Sequence, residues 1–297
     1  MKNELHDKVL GSYIGFAVGD ALGATTEFMT PREIKVNYGT HNKIIGGGWL
    51  RLKQGRVTDD TEMSLALGNS ILEGNGFSLT GVGDHFISWM RSKPVDIGST
   101  VRKGIRDYML EGKLVSEESD MSGGNGAAMR NLPLIIYCMK SWPYFEDMTL
   151  QQCHITHNNK KSDLITLCFG EMTKILYETG DKLKALDIAN RLIRINPNFS
   201  YSTYKGEASG YIVDTFKTVL HFFADCLSFE ETLVGVVNQG GDADTNGAIA
   251  GMLAGALYGY EKIPYKWLKR MDQKTLTEIR IQTLRLMELP VRYSDEI

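Results

Sequence analysis

Several features that define common protein classes are scarce or missing in this sequence of 297 residues. No stretch rich in proline or serine separates two parts of the chain, so we predict a single domain over residues 1–297. Positive charge is not in excess, since the formal net charge is −3 at pH 7. The basic footprint typical of nucleic-acid binding is therefore absent, and no nucleic-acid partner is expected.

Cysteine pairs and long apolar runs are missing too. The four cysteines form no C-x-x-C pair and are predicted to be reduced and buried. They are Cys138, Cys153, Cys168 and Cys226. The longest apolar stretch, residues 248–258, is too short and too glycine-rich to span a bilayer, and the segment MKNELHDKVL lacks the apolar core of a signal peptide. We expect a cytoplasmic protein without an integral membrane segment.

Alternation typical of β-strands is scarce, and only KIIGGGWLRLKQGRV suggests a short hairpin. Helical periodicity dominates instead, for example in Met63, Ala66, Leu67 and Ile71, which recur at three- and four-residue steps. The sequence therefore predicts an all-α fold.

Glycine is abundant and regularly spaced in two segments. Each series recurs every four residues: Gly11, Gly15, Gly19 and Gly23 in one, and Gly247, Gly251, Gly255 and Gly259 in the other. Glycine within a helix costs about 1 kcal/mol relative to alanine, and close approach of two helix backbones would compensate for this cost. We therefore predict tight packing between these two helices, which would bring Glu27 towards the acidic clusters described next.

Two acidic clusters precede segments predicted to be helical. The first comprises Thr58, Asp59 and Asp60, and the second comprises Asp242, Asp244 and Thr245. Their ligands are all oxygen atoms, which suit hard cations such as Mg²⁺ or Mn²⁺ rather than zinc, and four aspartates could hold two ions. Ions that orient hydroxyl groups and water indicate a hydrolase.

A purely structural role is the alternative for each cluster. Threonine and aspartate are good N-caps, and Asp59-x-x-Glu62 resembles a capping box. A single cap needs only one side chain, whereas Asp242 and Asp244 add a second negative charge that a cation would neutralise. The second cluster therefore favours metal binding more strongly than the first.

Four other segments offer groups suited to a site, each with a simpler alternative. The glycine-rich stretch from Gly123 to Arg130 could bind phosphate through its amides or be an ordinary turn. Asp96 could act as a base or stabilise positive charge, or be a solvated loop residue. His154 and His157 could bind a metal or contact a substrate, or be structural. Tyr211 could stack on a base, or pack in the core.

Together these segments resemble the ADP-ribosylglycohydrolase family, and within it the branch that regulates nitrogenase. The matching blocks run in order along nearly the whole chain: GDALGATTEF, IIGGGWL, VTDDTEMS, PVDIG, GNGAAMRNLP, HITHNN, YIVDT and VNQGGDADTNGAIAGMLAGALYG. Residues 181–204 carry no recognisable block, and Asn246 stands where close relatives are expected to have threonine. Neither departure removes a proposed ligand.

The resemblance implies a compact, orthogonal all-α domain with two divalent cations, Mn²⁺ or Mg²⁺. It implies metal ligation by Thr58, Asp59, Asp60, Asp242, Asp244 and Thr245, with Glu27 close to the ions or bridging them. It assigns substrate contacts to Ser99, Thr100, Gly124, Asn125, Gly126, His157 and Tyr211. Asp96 would face the scissile ribose, and either Asp96 or Glu27 would be the catalytic base.

The implied reaction removes ADP-ribose from an arginine of nitrogenase iron protein. Alternatives are hydrolysis of another linkage or target, such as modified serine or a small metabolite, and a non-catalytic binding or structural role. The resemblance also implies two candidate partners, a PII signalling protein and an ammonium channel, which would hold the protein reversibly at the membrane.

Overall fold

A computed structural model describes residues 2–294 of the chain. Helices dominate this part, and β-structure within it is limited to isolated bridges. In chain order, the helices are α1 (Lys2–Gly23), α2 (Pro31–Tyr38), α3 (Asp59–Glu73), α4 (Leu79–Arg91), α5 (Ser99–Glu111), α6 (Leu132–Cys138), α7 (Phe145–His154), α8 (Lys160–Thr179), α9 (Lys182–Ile195), α10 (Ile212–Asp225), α11 (Phe229–Val237), α12 (Ala243–Tyr258), α13 (Tyr265–Leu268) and α14 (Gln273–Glu288). The predicted all-α class is confirmed. The suggested hairpin is reduced to one antiparallel bridge between Gly47 and Leu52.

Helices α1 and α12 pack in antiparallel orientation, backbone against backbone. A methyl group on Gly19 would lie 1.9 Å from the carbonyl oxygen of Gly247, and one on Gly251 would lie 2.1 Å from that of Gly15. A methyl group on Gly23 would lie 2.0 Å from the carbonyl oxygen of Ala243. The predicted contact between the two glycine series is therefore present, and it brings the end of α1 against the start of α12.

A continuous hydrophobic cluster surrounds this helix pair and includes large buried side chains such as Tyr13, Phe16 and Phe216. The four cysteines are free, as predicted, although Cys226 is only half-buried because it lies just beyond the end of α10. None of the helices within residues 2–294 is long and apolar enough to cross a membrane.

Candidate metal centre and substrate cavity

The two acidic clusters meet where α1 ends and where α3 and α12 begin. Glu27, Asp242 and Asp244 present oxygen atoms that all lie within 4.8 Å of one another. Thr245 Oγ1 donates to Asp60 Oδ2 at 3.2 Å, which connects the second cluster directly to the first. The packing of α1 on α12 thus places Glu27 beside the aspartates, as expected, and the resulting acidic group could bind a metal ion.

Neither cluster acts as a side-chain cap for the helix it begins. Thr58 and Asp242 occupy the N-cap positions of α3 and α12, yet neither side chain accepts a capping hydrogen bond. The start of α3 is held instead by Asp20 of α1, a fully buried carboxylate. Asp20 accepts hydrogen bonds from Thr58 N at 3.0 Å and from Thr61 Oγ1 at 2.5 Å. Because Asp20 caps the start of α3, the carboxylates of the first cluster are not needed as caps and can bind a metal ion.

Electrostatic repulsion and burial perturb the carboxyl groups strongly. Burial raises the pKa of Glu27 to about 9 and the pKa of Asp59 to about 8, and the negative charge of neighbouring carboxylates contributes to both rises. The same causes raise the pKa of Asp60 and of Asp244 well above the usual value.

Two carboxylate oxygens in this group lack the partners that buried polar atoms normally have. Asp60 Oδ1 and Asp244 Oδ1 are buried and accept no hydrogen bond from the described residues. Leaving a buried acceptor unsatisfied costs about 1–3 kcal/mol, and more for a charged group. Bound divalent cations would satisfy such oxygens and reduce the repulsion, so this donor set fits hard metal ions.

A cavity of about 490 Å³ opens above the acidic group. Its wall includes Glu27, Asp59, Asp242, Asp244 and Thr245, together with Asp96, Ser99 and Thr100. Asp96 lies in the loop between α4 and α5, where burial raises its pKa. Its Oδ1 accepts a hydrogen bond from Ile97 N at 2.7 Å. The predicted base therefore faces the same space as the predicted metal ligands.

The glycine-rich loop forms another part of the lining. Gly124, Asn125 and Gly126 all line the cavity. Asn125 Nδ2 donates to Asp242 Oδ2 at 2.5 Å and to Thr215 Oγ1 at 2.9 Å, and Asn125 N donates to Gly210 O at 3.0 Å. These bonds fix the loop directly against the acidic group.

A fully buried arginine supports this loop from behind. Arg130 donates through Nη1 to Gly126 O at 3.0 Å and through Nη2 to Thr156 Oγ1 at 2.8 Å. Thr156 Oγ1 also lies 2.7 Å from His157 Nδ1. Burial, together with the nearby guanidinium, lowers the pKa of His157 to about 3. His157 is consequently a neutral hydrogen-bonding group at the cavity wall at physiological pH.

Some predicted residues lie elsewhere. Tyr211 is not part of the cavity lining; it directly precedes α10, and its hydroxyl accepts a hydrogen bond from Lys161 Nζ at 2.9 Å. His154 ends α7 and pairs with Asp163 at 3.0 Å, so the two histidines do not converge on one site. Thr58 and Asp60 are fully buried beneath the cavity surface.

Sequence reasoning missed three residues that organise the site: Asp20, Trp49 and Arg130. Asp20 was detectable, because it is a lone charge within the glycine-spaced, largely apolar part of α1. Trp49 donates through Nε1 to Glu27 Oε2 at 2.6 Å, across a separation of 22 residues. Nothing in the sequence pattern indicates that contact or the burial of Arg130.

Comparison with known proteins adds independent information. The ADP-ribosylglycohydrolase family model matches residues 1–294. The ADP-ribosyl-[dinitrogen reductase] glycohydrolase of Rhodospirillum rubrum is 48% identical over 285 residues, covering 96% of this chain and 97% of the relative.

More distant relatives are consistent with this match. The ADP-ribosylarginine hydrolase Tri1 of Pseudomonas putida is 30% identical, over 89% of this chain and 74% of the relative. A solved structure described as an ADP-ribosylglycohydrolase-related protein complex superposes with a TM-score of 0.86 at 29% identity, covering 97% of this chain and 99% of that chain.

Proposed function

Because this chain belongs to the ADP-ribosylglycohydrolase family, we propose that it removes ADP-ribose from an ADP-ribosylated arginine of dinitrogenase reductase, the nitrogenase iron protein. The observation that carries this proposal is the convergence of Glu27, Asp242 and Asp244 at the cavity. Support for the target comes from the 48% identical relative, and support for the linkage comes from relatives named as ADP-ribosylarginine hydrolases.

Two divalent cations, Mn²⁺ or Mg²⁺, are part of the proposal. Glu27 would hold them together with the two acidic clusters: Thr58, Asp59, Asp60, Asp242, Asp244 and Thr245. When bound, such ions orient the ribose hydroxyls and lower the pKa of water. Asp20 keeps the first cluster in place by fixing the start of α3.

The nucleotide is assigned to the remaining wall of the cavity. Gly124, Asn125 and Gly126 present a glycine-rich backbone close to the acidic group, and Ser99 and Thr100 begin α5, where free amides and the helix dipole favour the diphosphate. Neutral His157 offers a hydrogen bond without adding charge. Tyr211 lies outside the lining but directly follows the lining residue Gly210, and we propose that its ring, whose centroid lies 5.5 Å from Lys161 Nζ, stacks on the base.

Asp96 is assigned the proton transfer. Water adds to C1″ of the ribose as the bond from C1″ to the guanidine nitrogen breaks, and positive charge develops on the ribose ring. The Asp96 carboxylate stabilises this charge and accepts the proton that the water loses. The proton then passes to the departing guanidine, which leaves as guanidinium. Trp49 holds Glu27 at 2.6 Å and keeps it with the two aspartates, so Asp96 is the better candidate for the base.

Replacing Asp96 with asparagine is expected to lower turnover by about 100-fold, the effect typical of losing a general base, while affinity for ADP-ribose changes little. Asparagine keeps the size and polarity of the side chain, so the loop should be preserved. Turnover is measured by release of ADP-ribose, and affinity by calorimetric titration. Asp187→Asn, a change at a half-exposed position of α9 outside the cavity lining, is the control. Normal turnover in Asp96→Asn would reject its catalytic role.

The function itself is tested with purified dinitrogenase reductase that carries ADP-ribose on arginine. We expect free ADP-ribose to be released and the unmodified protein to regain activity. Serine-linked ADP-ribose and small ADP-ribosylated metabolites are compared under the same conditions. If one of these is cleaved and the arginine conjugate is not, the protein is still an ADP-ribose hydrolase, but dinitrogenase reductase is rejected as its target. The association with a PII signalling protein and an ammonium channel stays a prediction from the sequence resemblance.

A further inference from the structure

Two large aromatic side chains stand exposed next to the acidic group. Phe28 is 66% exposed and Trp49 is 52% exposed. Their ring centroids are 5.2 Å apart, at an interplanar angle of 57°. Phe28 lines the cavity together with Glu27 and Asp59, and Trp49 packs against it outside the lining. Exposed aromatic rings that extend outward from a cavity wall indicate a surface that becomes covered when a ligand binds.

The backbone holds both rings in place. Phe28 has a φ of 60°, a left-handed conformation that is rare for a bulky residue, and its N–H donates to Gly241 O at 2.6 Å. Trp49 lies in the tight turn closed by two hydrogen bonds of 2.8 Å between Gly47 and Leu52. Its indole nitrogen is also bonded to Glu27. Backbone strain held in this way is common at ligand-binding positions.

The chemistry of this aromatic pair suits a cation. Within residues 2–294, no lysine or arginine of this chain stacks on either ring. Ring faces attract guanidinium groups by cation–π interaction and by stacking. The nearby carboxylates are the candidate metal ligands. An aromatic surface can therefore bind a guanidinium group without taking a carboxylate away from the metal ions. Since Phe28 directly follows Glu27, the pair lies at the carboxylate end of the cavity, where the scissile bond is placed.

We infer that Phe28 and Trp49 form the subsite for the guanidinium group of the modified arginine and select arginine-linked substrates. This inference rests on the proposed function, because it assigns the leaving-group side of the same cavity. It predicts that loss of the rings weakens binding of the arginine conjugate and leaves binding of ADP-ribose unchanged.

The test compares KM for ADP-ribosylarginine with the inhibition constant of free ADP-ribose. Phe28→Asn removes one ring and keeps the backbone, because asparagine tolerates positive φ. We expect KM for the conjugate to rise about fivefold, as for loss of an exposed cation–π contact, with an unchanged inhibition constant for ADP-ribose. Leu227→Asn, at a position that is 83% exposed and outside the cavity lining, is the control.

Two variants of Trp49 separate recognition from support of Glu27. Trp49→Phe keeps a ring but removes the donor to Glu27, whereas Trp49→Leu removes both. A larger rise in KM for Trp49→Leu than for Trp49→Phe supports the guanidinium subsite. Equal effects in the two variants would mean that Trp49 acts only through Glu27, and this would overturn its part in the inference.

The wild-type protein is assayed first, so that the two hypotheses fail separately. No cleavage of ADP-ribosylarginine by the wild type rejects the proposed function. If the wild type cleaves the conjugate, an unchanged KM in Phe28→Asn overturns the inference alone. The inference also fails if Phe28→Asn weakens binding of the conjugate and of ADP-ribose equally, since the ring would then contact the nucleotide.

Discussion

Removal of divalent cations is expected to abolish release of ADP-ribose and to lower the melting temperature, with the larger loss of stability at alkaline pH. The physical reason is the concentration of buried carboxylates at the junction of α1, α3 and α12. Asp60 Oδ1 and Asp244 Oδ1 have no hydrogen-bond partner among the described residues, and Glu27 lies with Asp242 and Asp244. Without cations, these groups repel one another in a poorly solvated site.

The pH dependence of this instability has a defined sign. The pKa of Glu27 rises from 4.5 to about 9 on folding, and the pKa of Asp59 rises from 3.8 to about 8. A carboxyl group with a raised pKa binds its proton more tightly in the folded state. The free energy of unfolding of the metal-free protein should therefore fall as pH rises from about 4 towards about 9. Bound cations take the place of the protons and reduce this loss.

Thermal unfolding from about pH 5 to about pH 9, with a chelator and after addition of Mn²⁺ or Mg²⁺, measures both effects. Asp242→Asn should lose most of the stabilisation by metal together with activity, whereas the half-exposed control Asp187→Asn should keep both. Full activity of the chelated protein, or a melting temperature that does not respond to metal, would contradict the assignment of a metal centre.

Gly19→Ala is expected to destabilise the protein by about 3 kcal/mol or more, a value at the upper end for overpacking. The added methyl carbon would lie 1.9 Å from the carbonyl oxygen of Gly247, a backbone atom that cannot rotate away. Helices α1 and α12 must separate to admit it. For a protein of this size, the melting temperature should fall by about 5 °C or more.

Gly81→Ala is the matched control for this variant. Gly81 lies in the first turn of α4, where the added methyl group would be 3.2 Å from the hydroxyl of Ser70 and would meet no backbone atom among its three nearest neighbours. Alanine is the better helix former, so stability should stay the same or rise by up to about 1 kcal/mol. If both variants unfold at the same temperature, the backbone contact between α1 and α12 is not what stabilises the fold.

The sequence was most informative where the relevant signal is local and periodic. Four-residue spacing of glycine was sufficient to predict the contact between α1 and α12, because one face of a helix repeats at that interval. The acidic clusters were equally visible, since their residues are adjacent in the chain. Contacts between distant segments were not visible: the hydrogen bonds of Asp20 to the start of α3 span about 40 residues and depend on how α1 meets α3.

Termination of helices explains the remaining differences. His154 and His157 would share a face if one helix contained both, but α7 ends at His154 and the chain then turns. His157 consequently reaches the cavity wall, whereas His154 pairs with Asp163. The alternative of a side-chain cap at Thr58 was reasonable from sequence and fails because a carboxylate from another helix already occupies that role.

The glycine contact between α1 and α12 also determines which parts of this protein are free to change during evolution. Where side chains separate two helices, a larger residue on one helix can be offset by a smaller residue on the other. Here peptide groups touch at Gly15 and Gly251 and at Gly19 and Gly247, so no smaller residue exists that could offset an enlargement. The position of α1 against the start of α12 is therefore tied to glycine at these contacts, and any larger residue there would move the second acidic cluster relative to Glu27.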